Sequence, residues 1–435
     1  MNIRTLTLML AGLAMLGPFA TDTYLPSFHN IGEDFQVSQA LVQQTLSIYL
    51  SAFAFMSLFY GTFSDSFGRR PVIIFSLILF AIGSVGAMLA PSFGWLLLFR
   101  GLQGASAGAG RVVGMAIVRD KYHGAEAQKL FANITMVFSL APAIAPVVGG
   151  YANALTGWRG TFGLMVIIVA ILIVMCVRWL PETLAREHRQ PLHVVNIFRN
   201  YIRALMHPPF LLAILAVGFA FSGFALYISS AASFIMNILG LPDTAFAWLF
   251  LPFISGVVIG SMFSSRNAAR IAPALLIRVG LGIMTLGAIL NVLYNAISVA
   301  AVPWAVIPIF IYAVGMSVAL PGMTVVTLGS FPSMRGLASS LQSFVQMFIF
   351  ALVSGLLAPL LFHSALLLAL GMGCSAVLCI SLWWASMNWE RLRRGRATEK
   401  NHKFMCGALA GIRRPKAGIS TYSGCLPVRR SPVNV

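Results

Sequence analysis

The feature that most constrains this chain is the recurrence of long apolar runs. Twelve can be read between polar breaks, near residues 5–26, 41–62, 72–91, 95–117, 130–155, 160–180, 209–236, 245–264, 273–294, 303–329, 337–361 and 365–386. Each is long enough to cross a hydrocarbon layer as an α-helix, which takes about 20 residues, and a helix satisfies its own backbone polar groups there. The expected fold class is an all-α polytopic membrane protein. Composition agrees, since 59% of the 435 residues are hydrophobic and 9% are charged, against roughly a quarter charged in soluble proteins. The first run follows Arg4 and has the look of a secretory leader, but eleven further runs follow, so it is read as span 1. Cys176, Cys374 and Cys379 lie in apolar runs and Cys406 and Cys425 in a basic tail, which implies no disulfide framework.

Charge position supplies orientation. With the N-terminus inside, Arg69, Arg70, Arg119, Lys121, Lys129, Arg178, Arg186, Arg189, Arg199, Arg203, Arg266, Arg270, Arg278 and Arg335 fall on the inner side, and the opposite side receives Arg159. That asymmetry predicts that both termini are cytoplasmic. The loop from Pro181 to Pro208 divides the chain into an N-terminal six-helix half (1–180), a cytoplasmic central loop (181–208) and a C-terminal six-helix half (209–386). Within the loop, Val194 to Met206 is amphipathic and suited to the membrane surface. Two sets of six around a connector suggest a transporter with its substrate site between the halves. The turn Gly61–Arg70 has a degraded counterpart at Ser261–Arg270, a faint internal repeat. The tail 387–435 carries eleven Lys/Arg and two Glu, half of the net +18, and without a hydrophobic period it is expected to be a disordered, basic cytoplasmic tail. The basicity therefore reflects topology, and no nucleic-acid partner is expected.

Of the eleven acidic residues, only Asp22 lies within an apolar run. A carboxylate there costs several kcal/mol unless paired or protonated, which makes it a functional candidate. Arg100 and Arg111 lie within span 4, eleven residues apart, a spacing that returns to nearly the same helix face about 16 Å further along. Arg100 and Asp22 sit at similar depths, so a direct or water-mediated pair is expected, either exchanging a proton or merely locking two helices together. Span 5 holds Pro142, Pro146, Gly149 and Gly150, a segment expected to bend. The turn Gly61, Asp65, Gly68, Arg69, Arg70 places an acid and a base four apart, so that a carboxylate can meet a helix N-terminus or Arg69 and act as a gate between two bundle arrangements. All seven histidines fall outside the apolar cores; no Gly-Lys dipeptide and no metal-spaced His/Cys cluster occurs, so no enzyme, cofactor or metal is expected.

These residues resemble the major facilitator superfamily, and within it the twelve-span drug:proton antiporters of the bicyclomycin/chloramphenicol resistance (Bcr/CflA) group, from Asp22 to about Asn388. The resemblance rests on Asp22-Thr-Tyr-Leu-Pro26, on Gly61 to Pro71, on Arg100-Gly-Leu-Gln-Gly104 with Arg119-Asp120, and on Ala145-Pro-Val-Val-Gly-Gly150. It implies the major facilitator fold in a bacterial inner membrane, acting as a monomer. It also implies proton-coupled export by alternating access, with spans 1, 4, 7 and 10 lining the cavity. By the same resemblance, Asp22 is the proton-linked carboxylate, Arg100 assists coupling, and Asp65 and Arg69 stabilise one state. Two departures stand out: Ala141 and Ala145 stand where the antiporter signature usually has glycine, and the tail beyond about Lys400 has no family counterpart; Arg111 is not among the residues carried over from the family.

From the residues themselves, one buried acid and two buried arginines make a neutral-to-positive cavity, so neutral, zwitterionic or anionic small molecules are expected over lipophilic dications. Arg111, Tyr24, Phe138, Phe221, Phe224, Tyr227 and Met323 are its expected lining. Protons, the bilayer and a small-molecule substrate are the expected partners. An importer or exporter of a natural metabolite is the nearest alternative, and a channel or receptor the alternative of a different class.

Overall fold

The computed structural model describes residues 3–122, 124–189, 194–242, 244–267, 270–331 and 334–410. Among them there are helices and turns and no strand. Twelve helices cross the apolar layer. Span 1 is Ile3–Asp22; span 2 is Gln39–Ser57, continued by Tyr60–Phe67; span 3 is Arg69–Met88; span 4 is Phe93–Ala107, continued by Ala109–Lys121. Spans 5 and 6 are two helices within Gly124–Trp179, separated at Gly157, where φ 71° and ψ 179° break the helix. Span 7 is Pro208–Ser229, span 8 Ala247–Asn267, span 9 Pro273–Ile297 and span 10 Ile307–Gly329. Span 11 is Arg335–Leu352 with a π-helical turn Val353–Leu357 and Ala358–Leu361, and span 12 is Ala365–Ala410. Length and hydropathy alone mark ten candidate spans, because spans 5 and 6 count as one stretch, Ile144–Trp179, and span 4 is left out, its two segments having 15 and 13 residues.

Three boundaries differ from expectation for physical reasons. Span 1 stops at Asp22, four residues early, because Pro26 cannot donate to an α-helical ladder; a 3-10 turn Leu25–Ser27 and a short helix Phe28–Asp34 follow. Phe28–Asp34 marks one face of the molecule, the cap face, and the Gly68 turn marks the other, the turn face. Span 5 runs through Pro142 and Pro146, where a bend was expected, without leaving helical geometry, and the break before span 6 falls at Gly157, inside the expected gap. The segment 387–410, expected to lack regular structure, continues span 12 as helix to Ala410. Extending a formed helix needs no new nucleus, and Glu390, Arg391, Leu392, Arg393 and Arg394 are good helix formers. Residues 411–435 lie outside the described residues.

Residues 1–387 make one packing unit and 388–435 a second. Within the first, spans 1 to 6 pack mainly on one another and spans 7 to 12 likewise; the two sets meet where span 2 lies against span 11 and the span 5–6 segment lies against span 8. Between them the connector helix Val194–Leu205 touches spans 7 and 11. Span 2 breaks at Leu58 and Phe59, and Tyr201 of the connector donates to the Leu58 carbonyl at 2.8 Å. The connector thereby supplies a donor to a carbonyl at the interruption of the helix.

Candidate functional site

The end of span 1 carries the first cluster. Asp22 is the last residue of its helix and is 3% exposed. Thr21 Oγ1 lies 3.0 Å from Asp22 Oδ1 and 2.8 Å from the Pro18 carbonyl. Its single proton can serve the carboxylate, or it can point to Pro18 while the oxygen accepts from a protonated Asp22. Arg100 of span 4 is fully buried. Its Nη1 donates to the Ala20 carbonyl at 3.2 Å and to Gln103 Oε1 at 2.9 Å. The guanidinium carbon sits 4.1 Å from the centre of the Tyr24 ring and 4.4 Å from that of Tyr49. Tyr24 is anchored through its hydroxyl to Thr45 at 3.0 Å, Tyr49 donates to the Gly17 carbonyl at 3.1 Å, and Gln103 donates onward to Ser84 at 2.7 Å.

The expected direct pair between Asp22 and Arg100 does not form: among the described residues no ion pair within 4.0 Å involves either. Two aromatic faces and a carbonyl hold the cation in its place. Arg100 Nε and Nη2 find no hydrogen-bond partner among the described residues. The span 5 glycines support the same segment. Gly149 abuts the Thr23 carbonyl so closely that a Cβ could not fit, and Pro146 and Gly150 are buried beside a half-buried Pro142. Three sequence motifs, those of spans 1, 4 and 5, thus converge on the backbone from Ala20 to Tyr24.

The turn face carries the second cluster. Gly68 has φ 103°, a conformation that favours glycine, and a Cβ there would meet the Glu182 carboxylate and Arg189. Arg69 pairs with Asp65, with Asp120 at 3.0 Å and with Ser64 Oγ at 2.7 Å. Glu182, which carries no motif signal, accepts from the backbone N–H of Arg69 at 3.0 Å and of Arg70 at 3.3 Å. It therefore takes the place at the span 3 N-terminus that Asp65 was expected to fill, where unpaired N–H groups and the helix dipole favour an anion. Arg70 donates to the Val177 carbonyl at 2.6 Å. Gly61 has open space where a Cβ would stand. All these partners belong to residues 61–189, so the cluster ties spans 2, 3, 4 and 6 and the start of the central loop together.

The expected cavity lining separates into three groups. Arg111 is exposed, whereas Arg100 is sealed, so the two do not form one line of cations; the chain breaks between them at Gly108. Phe221 is half-buried and meets Phe224 and Phe350 edge-on at 5.0 and 5.7 Å, and Phe224 stacks on Phe253 at 3.7 Å. Tyr227 and Met323 turn away into the packing of spans 7 to 12: Tyr227 OH accepts from Asn291 at 2.7 Å, and Met323 is fully buried. A buried tyrosine hydroxyl seeks a partner, and Asn291, a polar residue in an apolar run, is the signal that predicts it. Tyr24 belongs to the Arg100 cluster, and the Phe138 side chain lies outside the described residues.

Four side-chain hydrogen bonds join the two sets of spans near the cap face. Gln43 donates to the Ser229 carbonyl at 2.6 Å and to Ser354 Oγ at 3.4 Å, Gln44 to the Gly355 carbonyl at 2.8 Å, and Ser47 to the Ala351 carbonyl at 2.8 Å. Sequence reasoning missed this latch because its acceptors are mostly backbone.

Comparison with known proteins places this architecture. Residues 10–354 match the family model of the Major Facilitator Superfamily. The chain belongs to that superfamily. It is a multi-pass membrane transporter and not an enzyme. Among curated relatives it is 29% identical over 377 residues to the bicyclomycin resistance protein homolog of Haemophilus influenzae, covering 87% of this chain and 94% of the relative. It is 25% identical over 373 residues to multidrug resistance protein D of Escherichia coli, covering 86% and 91%. Among solved structures, a D-xylose–proton symporter superposes with a TM-score of 0.70 at 15% identity, covering 88% of this chain and 98% of that one. That likeness concerns the fold.

Proposed function

We propose that the protein is a proton-coupled exporter of small amphipathic compounds, drugs among them, working by alternating access as a monomer in a bacterial inner membrane. The turn face is cytoplasmic and the cap face external, in keeping with the Lys/Arg asymmetry of the loops. One observation carries the reading: Asp22, the sole acid within an apolar run, is 3% exposed and lies where the span 1, span 4 and span 5 motifs meet. The names of the relatives support the export of drugs.

In the cycle, Asp22 takes up a proton when the cap face is open. The halves then close there, and the proton leaves as cytoplasmic substrate is taken up. Thr21 accommodates either state of the carboxyl by turning its hydroxyl between Asp22 and the Pro18 carbonyl. Arg100 keeps a positive field beside the site without committing to an ion pair, so protonating Asp22 breaks no salt bridge. Arg69, Asp65 and Asp120 hold the turn-face ends of spans 2, 3 and 4 together.

The test is drug uptake into inverted membrane vesicles under an imposed pH gradient. The wild type accumulates substrate only with the gradient, and Asp22→Asn, which keeps the shape but cannot ionise, loses gradient-driven uptake. Normal proton exchange by Asp22→Asn would refute the mechanism.

A further inference from the structure

We infer that the outward face of the connector helix Val194–Leu205 is a docking site for an anionic phospholipid of the leaflet on the turn face. The site goes beyond the exporter reading and does not depend on it. Three observations carry it.

The first is the make-up of the face. Val195, Arg199, Ile202 and Met206 follow one another at spacings of four, three and four, which on a helix gathers them within about 60° of arc. Met206 keeps the helical path past Leu205, its N–H donating to the Ile202 carbonyl at 2.8 Å. Val195, Ile202 and Met206 are 71%, 55% and 77% exposed, while Tyr201 and Ala204 on the opposite side are buried. A groove of about 420 Å³ runs along the exposed face, lined by Val195, Phe198, Arg199 and Ile202. Its occupant must be apolar along its length and anionic at one place. Arg203, also exposed, stands next around the helix. No acidic residue lies between Glu187 and Asp243 in the chain, and among the described residues no ion pair within 4.0 Å involves either arginine.

The second is where the face points. Span 7 opens at Pro208, two residues after Met206, so the helix leads directly into a membrane span and lies at the edge of the hydrocarbon. Its buried side is turned to protein: Tyr201 donates to the Leu58 carbonyl at 2.8 Å and neighbours the Ser340 hydroxyl of span 11, and the helix packs on spans 7 and 11. The exposed side therefore faces away from the bundle. A basic amphipathic helix in that position lays its apolar side chains at the boundary of headgroups and acyl chains.

The third is continuity with apolar surface on a span. Phe198 meets Phe59 at 5.8 Å, and Phe59 meets Phe55 and Phe63 at 5.8 Å each along span 2. Phe55, the member of this row deepest in the layer, is exposed. An acyl chain lying in the groove can thus follow the aromatic row inward while its phosphate stays with Arg199 and Arg203. Guanidinium forks match a phosphate bidentately. A zwitterionic lipid would fill the same groove but bring a cation beside its phosphate, whereas an anionic headgroup keeps the full attraction of the basic surface.

The experiment places a bimane fluorophore at Met206→Cys, beside the groove, in the full chain with its other cysteines replaced. The protein is reconstituted in phosphatidylcholine nanodiscs in which the same minor fraction of lipid carries brominated acyl chains, phosphatidylglycerol in one preparation and phosphatidylcholine in the other. Bromine quenches the fluorophore on contact, so the ratio of the two quenching constants reports selection. Phosphatidylglycerol is expected to quench about fivefold more effectively, the factor that one arginine at an anionic surface supplies. Arg199→Gln/Arg203→Gln, both changes at exposed positions, should bring the ratio to about one. Arg199→Lys/Arg203→Lys, which keeps the charge, should retain most of the preference. A second label at Phe75→Cys, exposed near the turn-face end of span 3, should show little preference. Quenching by neither lipid would mean that protein or water covers the face, and equal quenching that lipid solvates it without selection; either overturns the assignment. An unchanged ratio in the double Gln variant, or an equal preference at Phe75→Cys, overturns it as well, by showing general accumulation of anionic lipid around the protein.

Discussion

At the scale of the residue, the cluster around Arg100 illustrates how a membrane protein keeps a cation without an ion pair. The guanidinium is fully buried, yet its nearest groups are two tyrosine faces, a carbonyl and an amide oxygen. Flat stacking between rings is specific to arginine, because a lysine ammonium is a compact, strongly hydrated point charge. Arg100→Lys is therefore expected to cost about 1–2 kcal/mol through the lost stacking, read as a lower melting temperature of the purified protein, and to slow exchange of substrate for protons. A melting temperature equal to wild type would mean the aromatic contacts contribute nothing. Asp22 and Arg100 were legible in the sequence because charge within an apolar run is too costly to be incidental. Tyr49 was not, since an aromatic side chain in such a run carries little penalty until its partner is known. Glu182 was hidden for the opposite reason: a loop carboxylate looks ordinary until the Arg69 and Arg70 N–H groups are found on it.

At the scale of the element, helix breaks do more than helices. Span 1 stops at Asp22, span 4 parts at Gly108 and span 2 parts at Leu58, whose carbonyl accepts from Tyr201 of the connector. Apolar runs revealed that the spans exist, and the gap between 155 and 160 marked the interruption at Gly157, but a run carries no mark of a break inside it, so Gly108 went unread. Gly149 is where span 5 presses on the interrupted end of span 1. Gly149→Val is expected to destabilise the protein by about 1–3 kcal/mol through overpacking and to abolish exchange. Gly282→Ala, at a helical glycine with open space around it, should leave the melting temperature equal or higher. Equal effects of the two would show that the Thr23 contact is immaterial. The connector helix has an exposed apolar stripe of Val195, Phe198 and Ile202 beside the basic Arg199 and Arg203, as an interfacial helix does. A spin label at Ile202→Cys in a cysteine-free background should be relaxed by oxygen and shielded from a water-soluble nickel reagent; the opposite accessibility would place this stripe in water.

At the scale of the whole molecule, the question is which contacts hold one arrangement of the halves against the other. At the cap face, Gln43, Gln44 and Ser47 of span 2 donate to the carbonyls of Ser229, Gly355 and Ala351 across the divide. Gly355 lies in the π-helical turn of span 11, where the widened ladder presents a carbonyl sideways. Backbone acceptors ask little of sequence, which is why the latch can form and release as the helices shift without a charged residue being stranded. Each neutral hydrogen bond is worth about 1 kcal/mol net. Removing both glutamine donors in Gln43→Ala/Gln44→Ala is then expected to move the equilibrium by about 2 kcal/mol, roughly 30-fold, toward a cap-face-open state. Spin labels at Glu33→Cys, on the short helix Phe28–Asp34, and Val299→Cys, on a loop, both exposed at that face, report the separation by pulsed dipolar spectroscopy in a cysteine-free background. The doubly substituted protein should show a longer-distance population that is minor without the alanines. Substrate affinity from the turn face should fall in proportion, because the arrangement open to that face is then less populated. An unchanged distance distribution would mean that the packing of span 2 on span 11, and not the latch, sets the balance between the two states.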